Sequence, residues 1–368
     1  MVLSAMLNDE ERMKGMFNTK ALRKERLSNI ELLRIIAMLM IMFCHLCCAT
    51  GSPNKNDFTN QTFFSLIRTS IEYISIVGVN VFVLLSGWFG ITFKWKRLSE
   101  LYFQIVFFSL LMLIWGLNVN KNSSISLGGL IGMLTMGNND YWFLKVYVML
   151  YIISPILNAY IENASQKSFK TILIAMAVFL FYYGWITPDS TNWLVKGFCL
   201  VWFCFLYLLS RYIRLYKTRL SQFSAKTDLI IYLVFTAILI VFGILESYYQ
   251  IDLKGRWNYY LNPFVLCPAI YLLLFFSKIR FSSKIINAIA ISSVAAFLLH
   301  ANQNFYAGYY LKTIQDWFVS ESPTFFLLKS IAFIVLLFII AIIIDKIRLY
   351  IWNSLMNVYD KKRLLSKE

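Results

Sequence analysis

Charged residues are scarce in this chain, and their scarcity excludes an ordinary soluble protein. Only 15% of the 368 residues are charged, whereas 59% are hydrophobic and 17% are aromatic. The mean hydropathy is +0.63. Soluble domains contain about 25% charged and about 45–50% apolar residues. The composition therefore predicts an integral membrane protein.

The chain also lacks segments that are typical of other protein classes. Residues 1–29 are polar and mixed in charge, without the apolar core of a cleavable secretory signal. No stretch between the apolar runs is long enough for a water-soluble domain of useful size. No internal repeat is visible at any period, which argues against transporter folds built from duplicated halves.

Cysteine is limited to six residues, all in or at the edges of apolar segments. Disulfide frameworks belong to small extracellular domains, so these cysteines are predicted to be packing residues. The cluster of Cys44, His45, Cys47 and Cys48 superficially resembles a metal site, but on a helix at most two or three of these side chains could converge. Structural zinc needs about four converging ligands, and no second Cys/His cluster supplies them. We therefore expect no metal.

Long apolar runs dominate the rest of the chain. A helix needs about 20 mostly apolar residues to cross a bilayer. Ten segments meet this requirement: 30–49, 70–92, 99–118, 141–160, 170–187, 194–213, 228–247, 259–277, 284–303 and 324–345. The predicted fold is all-α, a polytopic membrane helix bundle of about ten transmembrane helices over residues 30–345. Residues 1–29 are the predicted cytoplasmic N-terminal segment, and residues 346–368 are a basic cytoplasmic tail.

The basic residues indicate how these helices are oriented. The net charge is +16, but the Lys and Arg residues lie in short clusters between apolar runs, as topology signals do. No nucleic-acid partner is therefore expected. If the N-terminus is cytoplasmic and the spans alternate, 26 of the 35 Lys and Arg residues fall on the cytoplasmic side. This asymmetry predicts that both termini are cytoplasmic.

Histidine is limited to two residues, His45 and His300, and each lies inside an apolar segment. A titratable side chain is costly to place in a bilayer, so both are functional candidates. Arg34 precedes His45 by 11 positions, nearly three helical turns, so the two share one helix face about 16 Å apart. Glu31 lies three positions before Arg34 and can pair with it. The alternatives are a packing role for His45, a helix-capping role for His300 and a snorkelling role for Arg34.

Four segments of the chain form a recognisable series of motifs. In chain order they are Arg26–Arg34 followed after ten residues by His45, Val79–Gly87 followed by Lys96 and Arg97, Tyr141–Pro155, and Ser292–His300. Together they resemble the motifs of membrane acyltransferase family three, the integral-membrane O-acyltransferases that modify bacterial surface polysaccharides and related glycans. Two departures are visible: Glu31 stands where Asp is common, and Ala296 replaces an aromatic residue often found before the late His.

The resemblance implies a membrane O-acyltransferase. Such an enzyme moves an acetyl group, or another short acyl group such as succinyl, from cytosolic acyl-CoA to a hydroxyl of a surface polysaccharide or its lipid-linked precursor. The implied donor is acetyl-CoA and the implied partners are a glycan acceptor and other polysaccharide-assembly proteins. The implied location is the bacterial cytoplasmic membrane, where the chain is a multi-pass protein in the lipid bilayer.

The chemistry of acyl transfer suggests roles for the candidate residues. Histidine suits a general base because its ordinary pKa of about 6.5 is close to working pH, and arginine suits phosphate groups. We expect His45 to be the base, and His300 to orient the substrate or stabilise the oxyanion. The predicted acyl-CoA-binding residues are Arg34, Glu31 and Arg97, and the predicted substrate-binding residues are Asn80, Ser86, Trp142, Tyr147 and Tyr260. Arg34 and His45 should line one continuous cavity.

Several of these residues have plainer interpretations, and two other functions stay open. Lys96 and Arg97 also suit topology anchors, Ser86 beside Gly87 suits close helix packing, and Trp142 suits an interfacial aromatic belt. A transporter or flippase of lipid-linked saccharides would need a similar number of helices, and a glycan polymerase is a third option. A flippase would tolerate loss of His45 better than loss of the charges in its cavity.

Overall fold

The structure is a computed structural model that describes residues 27–119, 127–136, 141–187, 193–251 and 256–365. These residues form helices joined by short connections, with no strand among them. The all-α fold predicted from the apolar runs is therefore confirmed. Residues 1–26 of the predicted N-terminal segment lie outside the described residues.

The described helices vary widely in length. In chain order they are α1 (Ser28–Thr50), α2 (Lys55–Asn60), α3 (Thr62–Ser75), α4 (Gly78–Phe89), α5 (Trp95–Val119), α6 (Leu127–Leu134), α7 (Trp142–Asn163), α8 (Gln166–Phe181), α9 (Leu200–Tyr216), α10 (Ala225–Tyr249), α11 (Pro263–Lys278), α12 (Lys284–Ala290), α13 (Ser293–His300), α14 (Leu311–Ser320) and α15 (Pro323–Leu365). Each of the ten predicted spans overlaps at least one of them.

The number of helices that can cross a membrane is slightly lower than predicted. Within the described ranges, eight helices or continuous helix pairs are long and apolar enough. A ninth span results if the bent pair Lys284–His300 and Gln303–Ser320 counts as one. The remaining predicted segment, 194–213, forms α9, whose 17 residues are at the lower limit for a spanning helix. The chain is thus a multi-pass membrane protein with eight or nine clear spans.

Helix α1 occupies a central position in the bundle. It packs against α3, α4, α11, α12, α13, α14 and α15. Its first turn is held by polar contacts: the Asn29 amide donates to the Phe276 carbonyl at 2.6 Å, and the Ser28 hydroxyl donates to Asn287 at 3.0 Å. These contacts fix the depth and rotation of α1, and with them the direction in which its functional face points.

Two glycines allow α4 to approach its neighbours backbone to backbone. A Cβ atom on Gly78 would lie 2.8 Å from the Ala37 carbonyl of α1, and one on Gly87 would lie 2.3 Å from the Tyr207 carbonyl of α9. Small residues at such crossings are a common device of membrane helix packing. The close-packing interpretation of the Ser86-Gly87 motif is therefore confirmed at Gly87.

The last helix is longer than the membrane requires. Helix α15 has 43 residues, which corresponds to about 65 Å, whereas the hydrocarbon core of a bilayer is about 30 Å thick. It continues through residue 345 without a break, so residues 346–365 of the predicted tail prolong the final span.

Candidate active site

The two histidines are in direct contact, although 255 positions separate them in the sequence. His45 Nδ1 lies 2.8 Å from His300 Nε2. His45 projects from the C-terminal half of α1, and His300 is the last residue of α13, where the chain bends by 56° into the next helix. His300 is fully buried, whereas His45 is partly exposed. The bundle thus brings together the only two imidazoles of the chain.

The hydrogen-bond partners of the two rings determine where their protons lie. His300 Nδ1 is 2.5 Å from the Ala296 carbonyl oxygen, which can only accept, so this nitrogen carries a hydrogen. In neutral His300 the other nitrogen, Nε2, then accepts a hydrogen bond from His45 Nδ1–H. His45 Nε2 is therefore left with its lone pair, and no described residue donates to it. A lone pair in this position is what a general base requires.

A small cavity adjoins His45. It is lined by Ile41, Cys44, His45, Ser75, Val79, Trp142, Phe143, Tyr260 and Phe297. Its volume is about 10 Å³, close to the least that holds one water molecule. Side chains around His45 must therefore move apart before a substrate binds.

Two of the predicted substrate-binding residues, Trp142 and Tyr260, line this cavity. Their rings lie 6.1 Å apart in a stacked arrangement. Neither the Trp142 indole N–H nor the Tyr260 hydroxyl is hydrogen-bonded to another part of the described chain. Both polar groups are thus available to a substrate in the cavity.

Asn80, another predicted substrate-binding residue, is hydrogen-bonded within the bundle. It is fully buried, its amide group donates to the Tyr260 carbonyl at 3.0 Å, and its oxygen accepts from the Trp202 indole at 3.0 Å. Both ends of the amide are engaged in this buried position, and the predicted contact with substrate stays a prediction. Asn80 holds the Tyr260 segment beside α4.

Ser86 and Tyr147 lie together, but not at His45. Their hydroxyl groups are 3.1 Å apart. Ser86 is seven residues beyond Val79 on α4, about 10 Å along the helix axis, and neither hydroxyl lines the His45 cavity. Their contact with substrate stays a prediction. A substrate that touches these two hydroxyl groups would lie nearer to the start of α1 than His45 does.

The predicted donor-binding residues lie at helix starts. Arg34 and Glu31 form the ion pair expected from their spacing, and the Arg34 side chain keeps 30% of its surface exposed. Arg97 is exposed in the first turn of α5 and forms no ion pair with any residue that the structure describes. Both cations are therefore accessible to a ligand.

In the described part of the chain, the cavity beside His45 does not continue along α1 to Arg34 as expected. Met38 and Met42 lie on the same face of α1 between these two residues, and both are fully buried. Their side chains close the path, and the cavity at His45 does not reach Arg34. Methionine is unbranched and flexible, so it fills the gap between packed helices that helical spacing alone left empty.

Sequence reasoning missed several residues of the site. Phe297 lies three residues before His300 and shares its helix face, so its helical position could have indicated it. Tyr306 packs edge-on to His45 at 5.6 Å, and Phe198 stacks on Trp142 at 4.2 Å. Neither belongs to a motif, and only the folded chain brings them near. In the described part of the chain, no group of three His, Cys, Asp or Glu residues is arranged to hold a metal ion.

Comparison with known protein families gives one match. A family model described as an acyltransferase domain matches residues 27–346, which include α1, both histidines and Arg34. Neither curated proteins nor solved structures gave a match.

Proposed function

Because the chain belongs to membrane acyltransferase family 3, we propose that it is an O-acyltransferase with His45 as its general base. The reaction moves an acetyl group, or another short acyl group, from cytosolic acetyl-CoA or acyl-CoA to a hydroxyl of a surface polysaccharide or its lipid-linked precursor. The observation that carries this proposal is the pair of hydrogen bonds that leaves His45 Nε2 unprotonated beside a cavity.

His45 acts twice in the proposed reaction. Its Nε2 takes the proton of the acceptor hydroxyl as the oxygen attacks the thioester carbonyl, and the imidazolium then returns the proton to the departing CoA thiolate. Such proton transfer contributes about 10²–10⁴ in rate. His300 does not touch the reacting atoms; as a positioning residue it accepts from His45 Nδ1–H and stabilises the imidazolium.

The negative charge that develops on the carbonyl oxygen needs donors. The Tyr260 hydroxyl and the Trp142 indole N–H line the His45 cavity and are not hydrogen-bonded elsewhere in the described chain. In a water-excluded site, donors of this kind stabilise an oxyanion more strongly than water does. We assign them this role.

The donor enters from the side on which α1 begins. Arg34, oriented by its ion pair with Glu31, and Arg97 supply cations for the phosphates of the acyl-CoA. Met38 and Met42 must rotate to admit the acyl-bearing arm. With both termini in the cytoplasm of a bacterial cell, this side is the cytosol, and the acceptor with its polysaccharide-assembly partners approaches from the other side.

A flippase for lipid-linked saccharides is the alternative function. A passage for a saccharide needs far more space than the roughly one water molecule that fits beside His45. An acyl acceptor also needs more space than this, so the volume does not separate the two functions, and the family match favours the transferase.

Removal of the His45 imidazole tests the proposal. The protein is purified in detergent, and transfer from radiolabelled acetyl-CoA to glycan extracted from cells that lack this gene is measured. His45→Ala should lower the transfer rate about 10²–10⁴-fold, because the base is lost. Phe43→Leu, on the opposite face of α1, should leave the rate nearly unchanged. Undiminished transfer by His45→Ala would exclude the mechanism.

A further inference from the structure

Three aromatic rings form a wall beside the cavity that contains His45. Phe198 stacks on Trp142 with ring centroids 4.2 Å apart and an interplanar angle of 28°. Tyr260 lies 5.5 Å from Phe198. Trp142 and Tyr260 line the cavity, whereas Phe198 belongs to the loop before α9 and is 39% exposed. The apolar C–H face of a pyranose ring can pack on such a wall, as other apolar groups do on aromatic rings.

The loop that carries Phe198 is clamped onto Tyr260. The Tyr260 N–H donates to the Lys196 carbonyl at 2.9 Å. Gly197 has a φ of +91°, and a Cβ there would lie 2.9 Å from the Tyr260 Cβ, so only glycine fits. Lys196 itself has φ 50° and ψ 7°, a left-handed conformation that is uncommon for residues other than glycine. The point from which the Lys196 side chain leaves the loop is therefore tightly defined.

The Lys196 ammonium group lies beside the Tyr259 ring, next to the loop that carries Phe198. It is 5.8 Å from the centroid of the Tyr259 ring and within electrostatic range of Cys48 on α1. Cys48 is one helical turn, about 6 Å, beyond the cavity-lining Cys44. Lys196 also lies two residues before Phe198, whose ring stacks on Trp142, so its ammonium group is near the aromatic wall.

No carboxylate of the described chain neutralises this cation. None of the ion pairs between described residues includes Lys196. The carboxylate that also acts electrostatically on Cys48 is that of Glu72, and its Oε1 accepts from Ser52 at 2.9 Å and from Asn258 at 2.6 Å. An ammonium group without a carboxylate partner among the described residues, beside an aromatic wall, is complementary to a saccharide that carries a negative charge.

Membrane topology does not account for Lys196. In the proposed orientation it lies on the outer side, where the positive-inside tendency does not favour lysine. We propose that Lys196 binds an anionic group of the acceptor, so that the acceptor is an acidic saccharide whose ring packs on Trp142 and Phe198. This inference rests on the proposed function. The anion is an oxyanion within about one sugar of the acylated hydroxyl: either the carboxylate of an acidic sugar or the phosphate of a lipid linkage.

Acceptors with and without these anions test the inference. Transfer is measured with glycan from cells that lack this gene, either intact or with its carboxyl groups reduced to alcohols. It is also measured with the lipid-linked fraction before and after mild acid removes the carrier phosphate. The variants are Lys196→Ala and Lys196→Arg. The matched control is Lys55→Ala, at an exposed lysine that begins α2 and whose ammonium group lies 5.9 Å from the centroid of the Tyr248 ring.

Lys196→Ala should raise the KM for the anionic acceptor about 10–100-fold, because a charge-assisted hydrogen bond is lost, and should leave the KM for acetyl-CoA unchanged. Lys196→Arg should retain most of the affinity, and Lys55→Ala should resemble the wild type. The difference between Lys196→Ala and wild type should vanish on the acceptor from which the responsible anion has been removed. If the difference vanishes on the carboxyl-reduced glycan, the ligand of Lys196 is a carboxylate; if it vanishes on the acid-treated lipid-linked fraction, the ligand is a phosphate. An equal defect on every acceptor, or no defect on any, overturns the inference.

A binding measurement separates this inference from the proposed function. Binding of the intact glycan and of the lipid-linked fraction is measured without acetyl-CoA, by thermophoresis of the detergent-purified protein. If the wild-type protein binds an acidic acceptor through Lys196 but transfers no acyl group, the inference stands and the proposed function is wrong. If the wild-type protein transfers acyl groups but binds the acceptor equally well without Lys196, the inference is wrong and the proposed function stands.

Discussion

At the residue scale, the carbonyl of Ala296 decides how the two imidazoles share their hydrogens. Because it can only accept, it fixes the hydrogen of His300 on Nδ1 and turns Nε2 toward His45 as an acceptor. His45 could not hold the same tautomer without this chain of contacts. The two histidines therefore have unequal roles in the proposed reaction, one chemical and one positional.

Replacement of His300 tests that inequality. His300→Ala removes the acceptor for His45 Nδ1–H and should lower kcat roughly 10²–10⁴-fold, because loss of the correct histidine tautomer has an effect of this kind in serine proteases. His300→Gln offers an amide oxygen in a similar place and should recover part of the rate. The KM for acetyl-CoA should be unchanged in both variants. A raised KM with normal kcat would mean that His300 binds substrate.

Arg34 is the second residue whose role can be isolated. Arg34→Ala removes the guanidinium proposed to bind the donor phosphates and should raise the KM for acetyl-CoA about 10–100-fold. The kcat should change little, because His45 lies about 16 Å away along α1. The measurement is initial-rate kinetics over a range of acetyl-CoA concentrations, with Glu31→Gln as a partner variant that should show a smaller effect in the same direction. An unchanged KM for acetyl-CoA in Arg34→Ala would mean that Arg34 does not bind the donor and would favour the snorkelling role instead.

At the element scale, the position of the site depends on how closely α4 packs. Gly78 seats α4 on α1 just before the cavity-lining Val79, and Gly87 seats it on α9. Asn80 joins the same helix to the Tyr260 segment. The break between α13 and the next helix has a comparable effect, because it ends α13 at His300 and directs that side chain toward α1.

Gly87→Ala should therefore destabilise the protein. The added Cβ would meet the Tyr207 backbone at 2.3 Å, and backbone atoms cannot rotate away. Overpacking of this kind costs about 1–3 kcal/mol. Gly308→Ala is the control, since nothing lies within 4 Å of its added Cβ. The measurement is thermal unfolding in detergent; equal unfolding temperatures for the two variants would contradict the close approach of α4 and α9.

At the scale of the whole molecule, a polar network around the buried Asp345–Arg348 ion pair of the last helix joins that helix to α5. Asp345 is fully buried and accepts from Arg348 at 2.9 Å and from the Gln104 amide of α5 at 2.8 Å. Glu100, also on α5, lies 3.6 Å from the Arg348 guanidinium. The long helix α15 is thereby held in one register against the rest of the bundle.

Asp345→Asn should destabilise the bundle by about 3–5 kcal/mol, because it leaves the buried Arg348 charge without its main partner. Lys96→Ala breaks a contact between the same two helices, the exposed pair with Asp360 at 3.3 Å. This exposed pair should contribute only about 0–1 kcal/mol. Denaturant unfolding in detergent measures the free energy of unfolding of both variants. Similar decreases would show that the buried network contributes no more stability than the exposed pair.

Local spacing predicted the parts of the site that belong to one helix. The Glu31–Arg34 ion pair follows from three-residue spacing, and the common face of Arg34 and His45 follows from helical geometry. Spacing cannot report what fills the space beside a helix. The Met38 and Met42 side chains that close the expected cavity, and the engaged amide of Asn80, were therefore outside its reach.

By itself, the order of the amino acids determined that this protein is a bundle of membrane-spanning helices and to which family it belongs. Hydropathy and helical periodicity are properties of neighbouring residues, so they need no knowledge of the fold. Only the tertiary structure decided that His300 contacts His45, and that Tyr306 and Phe198 join the site. Such contacts join residues far apart in the chain, and they depend on helix depth, rotation and bend, which packing alone sets.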